Sequence, residues 1–87
     1  MRLAKYVKFR EEKFGGVLFE TRSEKVFTLN PTAAAIVREI VAGADEGEIA
    51  SRLKRRYADA SGAMEREIPA LLAELRSKGL VEDSPRG

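Results

Sequence analysis

Up to Leu29 the apolar and polar side chains of this chain alternate; beyond Pro31 the apolar ones recur every three or four residues. The change falls inside KVFTLNPTAAAIVREIVAG, Lys25 to Gly43, across a single Asn-Pro step. Val26, Phe27 and Leu29 with Thr28 between them suit a pleated, half-buried surface, so this stretch predicts a strand running straight into a helix. Asn30 can cap that helix, its side-chain oxygen accepting from a free N–H of the first turn. Pro31 then sits where a preset φ helps and a missing donor costs nothing. Ala33, Ile36, Val37, Ile40 and Val41 follow at helical spacing, and Gly43 suits the left-handed residue past the end.

Two further strands precede this one. Tyr6 to Arg10 places Val7 and Phe9 on one face with Lys8 between, and Gly15-Gly16 punctuates before Val17-Leu18-Phe19. Thr21-Arg22-Ser23-Glu24 is a polar connection of hairpin length, which pairs the run ending at Phe19 or Glu20 with Val26 to Leu29 in antiparallel fashion. Phe14, an aromatic beside a turn, is expected in the core. After Gly43, Asp45 and Glu48 form a capping box for a second helix through Ile49, Ala50, Leu53 and Tyr57, with Glu48 and Arg52 in the favourable i,i+4 order. Ser61-Gly62 breaks the chain again. Met64, Ile68, Leu71, Leu72 and Leu75 then trace a third helical stripe that stops at Lys78-Gly79. Pro69 inside a helix costs about 3 kcal/mol, which places the regular part of that helix from about Glu67 onward. The tail EDSPRG, residues 82–87, has no apolar content and is expected to fray. The sum is one α+β domain over residues 1–87: a three-stranded antiparallel β-meander followed by three α-helices that cover one of its faces. The same order can be drawn as a winged helix with the wing first.

Composition removes several functions. A chain of 87 residues buries only about 60 to 68% of its unfolded surface, which argues against an embedded active-site cleft. It has no cysteine and no histidine, hence no thiolate, no imidazole base and no metal site built on either. Carboxylates are plentiful, but nothing pairs them with a nucleophile, a metal cluster or a phosphate-cradling loop. No catalytic residue, metal or cofactor is therefore expected. No apolar run approaches the roughly 20 residues of a membrane span, and MRLAKYVKFR lacks the apolar core of a signal peptide, so the expectation is a cytoplasmic protein without a membrane partner. A net charge of +2 is small for a nucleic-acid surface. Lys54-Arg55-Arg56 with Arg52 nevertheless makes the second helix basic on its polar side, and a DNA-binding winged helix is the alternative reading. Its mark would be a basic third helix or wing; in the third helix Glu65, Glu67 and Glu74 balance Arg66, Arg76 and Lys78.

The order of these segments resembles one known family. FTLNPTAAAIVREI, EIASRLKRRY and LLAELRSKGLV are similar to the PqqD family of small peptide chaperones, also called RiPP recognition elements. Leu29-Asn30, Thr32-Ala33 and Ile36 fit its strand-to-helix motif, Ile49, Leu53 and Tyr57 its second helix, and Leu72, Leu75, Gly79, Leu80 and Val81 its third. REEKFGGVLF is similar to the mycofactocin-type branch, and the chain departs from the family pattern at Gly47 and Pro69. The resemblance implies a non-catalytic protein that holds the leader of a ribosomal precursor peptide and presents it to a modifying enzyme, commonly a radical SAM protein.

The residues permit that mode. The last strand of a meander is an edge, so Lys25, Val26, Phe27, Thr28 and Leu29 can receive an extended peptide as an added strand. By analogy with the family the pocket lies between that strand and the third helix, at Ile68, Leu71, Leu72, Leu75 and Arg76. Leu72 and Leu75 are the better core residues of that set, whereas Leu71 and Arg76, flanking the stripe, are the better ligand residues; Arg76 can pair with an acidic residue of the leader or be only solvated, complementing the helix dipole. An exposed edge can equally be capped by a second copy, which leaves monomer and edge-strand dimer both open.

Overall fold

Asn30 ends a strand and begins a helix, and the rest of the fold is arranged around that corner. The computed structural model describes residues 1–57 and 63–82, the side chains of Tyr57, Ala63 and Met64 excepted. The chain runs β1 (Arg2–Leu3), β2 (Val7–Glu12), β3 (Gly15–Glu20), β4 (Lys25–Leu29), α1 (Pro31–Val41), α2 (Glu46–Tyr57), α3 (Ala63–Ser77) and β5 (Val81–Glu82). β2, β3 and β4 form a three-stranded antiparallel meander in that order, and β1 and β5 form a separate two-stranded ribbon. Leu18 lies opposite Phe9 on one neighbour and Phe27 on the other, so these three share the face that meets the helices. Val17, Phe19 and Val26, one step out of phase, point to the other face.

The local signals at the corner are realised as bonds. The Asn30 side-chain oxygen accepts the Ala33 N–H at 2.8 Å, and Gly43, past the helix end, takes φ 93°. At the start of α2, Asp45 and Glu48 exchange bonds of 3.0 and 2.8 Å, the reciprocal capping box. Ile36, Val37 and Ile40 of α1, Ile49 and Leu53 of α2, and Ile68 and Leu72 of α3 meet in the core, none more than 1% exposed. α1 thus lies on the Leu18 face of the meander, α2 packs on α1, and α3 packs on α2, an α+β arrangement.

Several details differ from the sequence reading. Gly15 and Gly16 belong to β3, and the turn is Lys13-Phe14. The reason is proximity: Gly15 has φ 140°, and a Cβ there would lie 2.1 Å from the Leu29 carbonyl oxygen, so the strand can pass the corner only without a side chain. Phe14 stands at that turn and is exposed rather than in the core, and Val41 in the last turn of α1 is exposed as well. α3 begins at Ala63, not near Glu67, and carries Pro69 in its interior. Pro69 faces solvent, where the carbonyl it leaves unbonded can be hydrated, while Ile68 and Leu72 on either side hold the helix to the core. Glu82 is paired with Arg2 in the ribbon instead of fraying; residues 83–87 and the Ser61-Gly62 break lie outside the described residues. No helix among the described residues is long and apolar enough to cross a membrane.

Candidate functional site

Among the described residues β4 has β3 on one side only. Every second residue of an edge strand turns its N–H and C=O away from the sheet, so β4 carries backbone donors and acceptors that no strand takes up. α3 runs beside this edge, and between the two lies a groove of about 490 Å³. Val26, Phe27, Thr28 and Leu29 form one wall, Leu71, Glu74, Leu75 and Lys78 the other, with Asn30, Ala33 and Leu80 completing it. The α3 set follows i, i+3, i+4, i+7, one face of a helix. Ile68, Leu72 and Leu75 form the neighbouring face, which is core; Leu75, 3% exposed, belongs to both.

The floor depends on how α3 stops. Gly79 takes φ 71° and donates to the Arg76 carbonyl at 3.0 Å, and Leu80 donates to the Leu75 carbonyl at 2.9 Å. This turn brings Leu80 back against the core. The Leu80 carbonyl in turn accepts the Ala4 N–H at 2.9 Å, so the N-terminal segment clasps the floor from behind.

Smaller recesses of about 240 Å³ extend the groove at each end. One is lined by Glu20, Ser23, Lys25, Phe27, Lys78 and Leu80. The other is lined by Asn30, Thr32, Ala33, Ile36, Glu67, Ala70 and Leu71. The Lys78 ammonium lies 5.8 Å from the centre of the Phe27 ring and 3.6 Å from the Glu74 carboxylate. Glu20 is held down to a pKa of about 2, first by the Ser23 hydroxyl and then by the Arg22 N–H, both of which donate to the charged form.

The structure therefore brings together Val26, Phe27, Thr28, Leu29, Leu71 and Leu75, with Lys25 in the adjoining recess. Ile68 and Leu72 are buried beneath the helix at 1% and 0% and do not line the groove. Arg76 points elsewhere: its guanidinium is 3.3 Å from Glu46 of α2. Counting from Leu71, Arg76 is five residues on and about 140° round the helix, whereas Glu74 and Lys78 are three and seven on, over the same face. That spacing was the signal that would have found Glu74 and Lys78 from sequence.

The basic cluster on α2 is partly consumed by the fold. Arg52 is bonded to Glu39 at 2.9 Å and lies 3.4 Å from Glu48, and Lys54 pairs with Glu65 of α3. On the opposite face of the meander, Lys8, Arg10, Val17, Phe19 and Val26 line a shallow depression of about 480 Å³.

The family model for coenzyme PQQ synthesis protein D, PqqD, matches residues 15–81. The chain belongs to the PqqD family. Among solved structures, this PqqD-family chain is similar to "Lasso peptide synthetase B1 complexed with the leader peptide", at 30% identity and a TM-score of 0.78, over 94% of this chain and 96% of that one. It shares its fold with the chain of "TbiB1 in Complex with the TbiA(beta) Leader Peptide", at 21% identity and a TM-score of 0.83, over 99% and 100% of the two chains. No curated protein matches the chain. The PqqD resemblance and the α+β fold expected from sequence are both borne out.

Proposed function

We propose that this PqqD-family protein is a non-catalytic peptide chaperone: it takes the leader segment of a ribosomally made precursor peptide as an added strand on β4 and presents it to a maturation enzyme. The observation that carries the proposal is the groove itself, a strand edge with no strand beyond it among the described residues, facing a helix wall of two leucines and a Glu74/Lys78 pair. Main-chain bonds along Lys25 to Leu29 supply affinity, and the trough over Phe27, Leu71 and Leu75 receives alternate side chains of the ligand. Ile68 and Leu72 serve by seating α3 at the right distance. The solved relative at 30% identity holds a leader peptide and comes from a lasso peptide synthetase, which supports a lasso-peptide setting ahead of the mycofactocin-type branch and its radical SAM partner. The work is cytoplasmic, where precursor peptides are made. A second copy of the chain on β4 would compete with the leader rather than assist it.

The test is an NMR titration with the leader encoded beside this gene. Amide shifts should concentrate in Lys25 to Leu29, in Leu71 to Lys78 and at Leu80. Shifts confined to Arg52 to Arg56 on adding duplex DNA, with none for the leader, would overturn the proposal in favour of the winged-helix alternative.

A further inference from the structure

Charge is distributed unevenly along the groove. At the start of β4, Lys25 and Lys78 line the recess, and the carboxylate that shares it, Glu20, is already engaged by the Ser23 hydroxyl, by the N–H groups of Arg22 and Ser23, and by the Arg22 guanidinium at 3.5 Å. At the far end, beside the first turn of α1, Glu67 lines the recess with no cation. Between the two the lining mixes apolar side chains, Phe27, Leu71 and Leu75 among them, with the neutral polar Thr28 and Asn30 and with Glu74 and Lys78, which face each other. Among the described residues neither Lys25 nor Glu67 has an ion-pair partner.

Taking the groove as the peptide site, we infer that it selects its peptide by charge order: an acidic residue in the Lys25/Lys78 recess, apolar side chains over the centre, and a basic residue in the Glu67 recess. The Lys78 ammonium lies 5.8 Å from the centre of the Phe27 ring and 3.6 Å from Glu74, which places its charge over the groove. An extended ligand advances about 3.3 Å per residue alongside β4, which puts its acidic and basic residues about five to seven positions apart. Each such pair is solvent-exposed and changes affinity by about fivefold at most. Charge thus ranks peptides that the strand edge and the apolar trough already hold.

The test is selection from a displayed library of random peptides of about twelve residues, long enough to cover both recesses. The library is panned on the wild-type protein, on Lys25→Glu/Lys78→Glu, on Glu67→Lys and on Leu71→Glu. On the wild type, enriched peptides should carry Asp or Glu on one side of an apolar pair and Lys or Arg on the other. The double lysine variant should exchange the acid for a base at the same place, and Glu67→Lys should do the converse at the other end. A synthetic copy of the winning peptide with its acid reversed should bind the wild type about fivefold more weakly and recover on the double variant. Should the double variant melt early, Lys25→Gln/Lys78→Gln adds no like charge beside Glu74; it should erase the acid preference without installing a basic one. Enrichment that Leu71→Glu abolishes but that has no charge order, or an order unmoved by the variants, overturns the inference and leaves peptide binding intact. No enrichment on the wild type, or enrichment indifferent to Leu71→Glu, overturns the groove as the peptide site and the inference with it.

Discussion

The two walls of the groove are made of different material. β4 presents backbone, whose donors and acceptors are the same whatever side chains the strand carries. α3 spends its backbone bonds within the helix, the carbonyl opposite Pro69 excepted, and presents side chains to the groove. A change of residue in β4 is therefore tolerated as long as the strand persists. On α3 a step of one residue reassigns the role, since Leu71 lines the groove and Leu72 is core. The strand wall gives general affinity for extended chain, and the helix wall decides which chain.

The comparison is broken most severely by unseating the helix wall. Leu72 is 0% exposed, and Leu72→Ala should cost about 2 to 5 kcal/mol in urea unfolding, a large share of the stability of so small a domain. A loss well below 1 kcal/mol would show that α3 is held by something other than its Ile68, Leu72 and Leu75 face. The strand wall is fixed at its end by Asn30, and Asn30→Ala should cost about 1 kcal/mol through the lost bond to the Ala33 N–H. Leader affinity should fall only as far as the folded fraction does. Abolished binding with unchanged thermal stability would instead make Asn30 a ligand contact.

At its other end the strand wall is tied by Glu20, which organises the loop before β4. Its carboxyl is depressed from 4.5 to about 2, so the stability it lends is complete above pH 4.5 and is lost as the pH falls toward about 2. Glu20→Gln should lower the melting temperature at neutral pH, and the gap from wild type should close as the pH approaches 2. A gap independent of pH would mean that the charge of Glu20 is irrelevant to the loop. The smallest effect belongs to Arg76, whose pair with Glu46 is exposed on the far side of α3. Arg76→Ala should change stability by no more than about 0.5 kcal/mol and leave leader affinity unchanged. Weaker leader binding would return Arg76 to the groove.

Sequence showed most where the determinants are local. The Asn30 cap, Pro31, the Asp45 and Glu48 capping box and the four-residue hairpin Thr21 to Glu24 each depend on neighbours within a turn, and each appears where the residues placed it. Pro69 misled because its local cost was weighed without the tertiary packing of Ile68 and Leu72, which holds the helix on both sides of it. Gly15-Gly16 read as a turn because the alternative cause, the close passage of Leu29, comes from fourteen positions along the chain. β1 and β5, two residues each, are too short to have a period at all. At the site, the β4 wall was legible as an edge. The α3 wall was half legible, since the leucines drew attention from Glu74 and Lys78, which the helical spacing from Leu71 places beside them.

The clasp between β1 and β5 has a consequence in time. Arg2 and Glu82 are 80 positions apart, so the ribbon ties together the two ends of the described chain. A ribbon of two-residue strands opens again at small cost while the meander stays formed. Each opening frees the Leu80 carbonyl from the Ala4 N–H and with it the floor of the groove. A peptide seated against Leu80 holds the floor in place and slows that opening. Hydrogen exchange at the amide of Ala4, a residue outside the groove lining, thereby becomes a clock for occupancy of the groove.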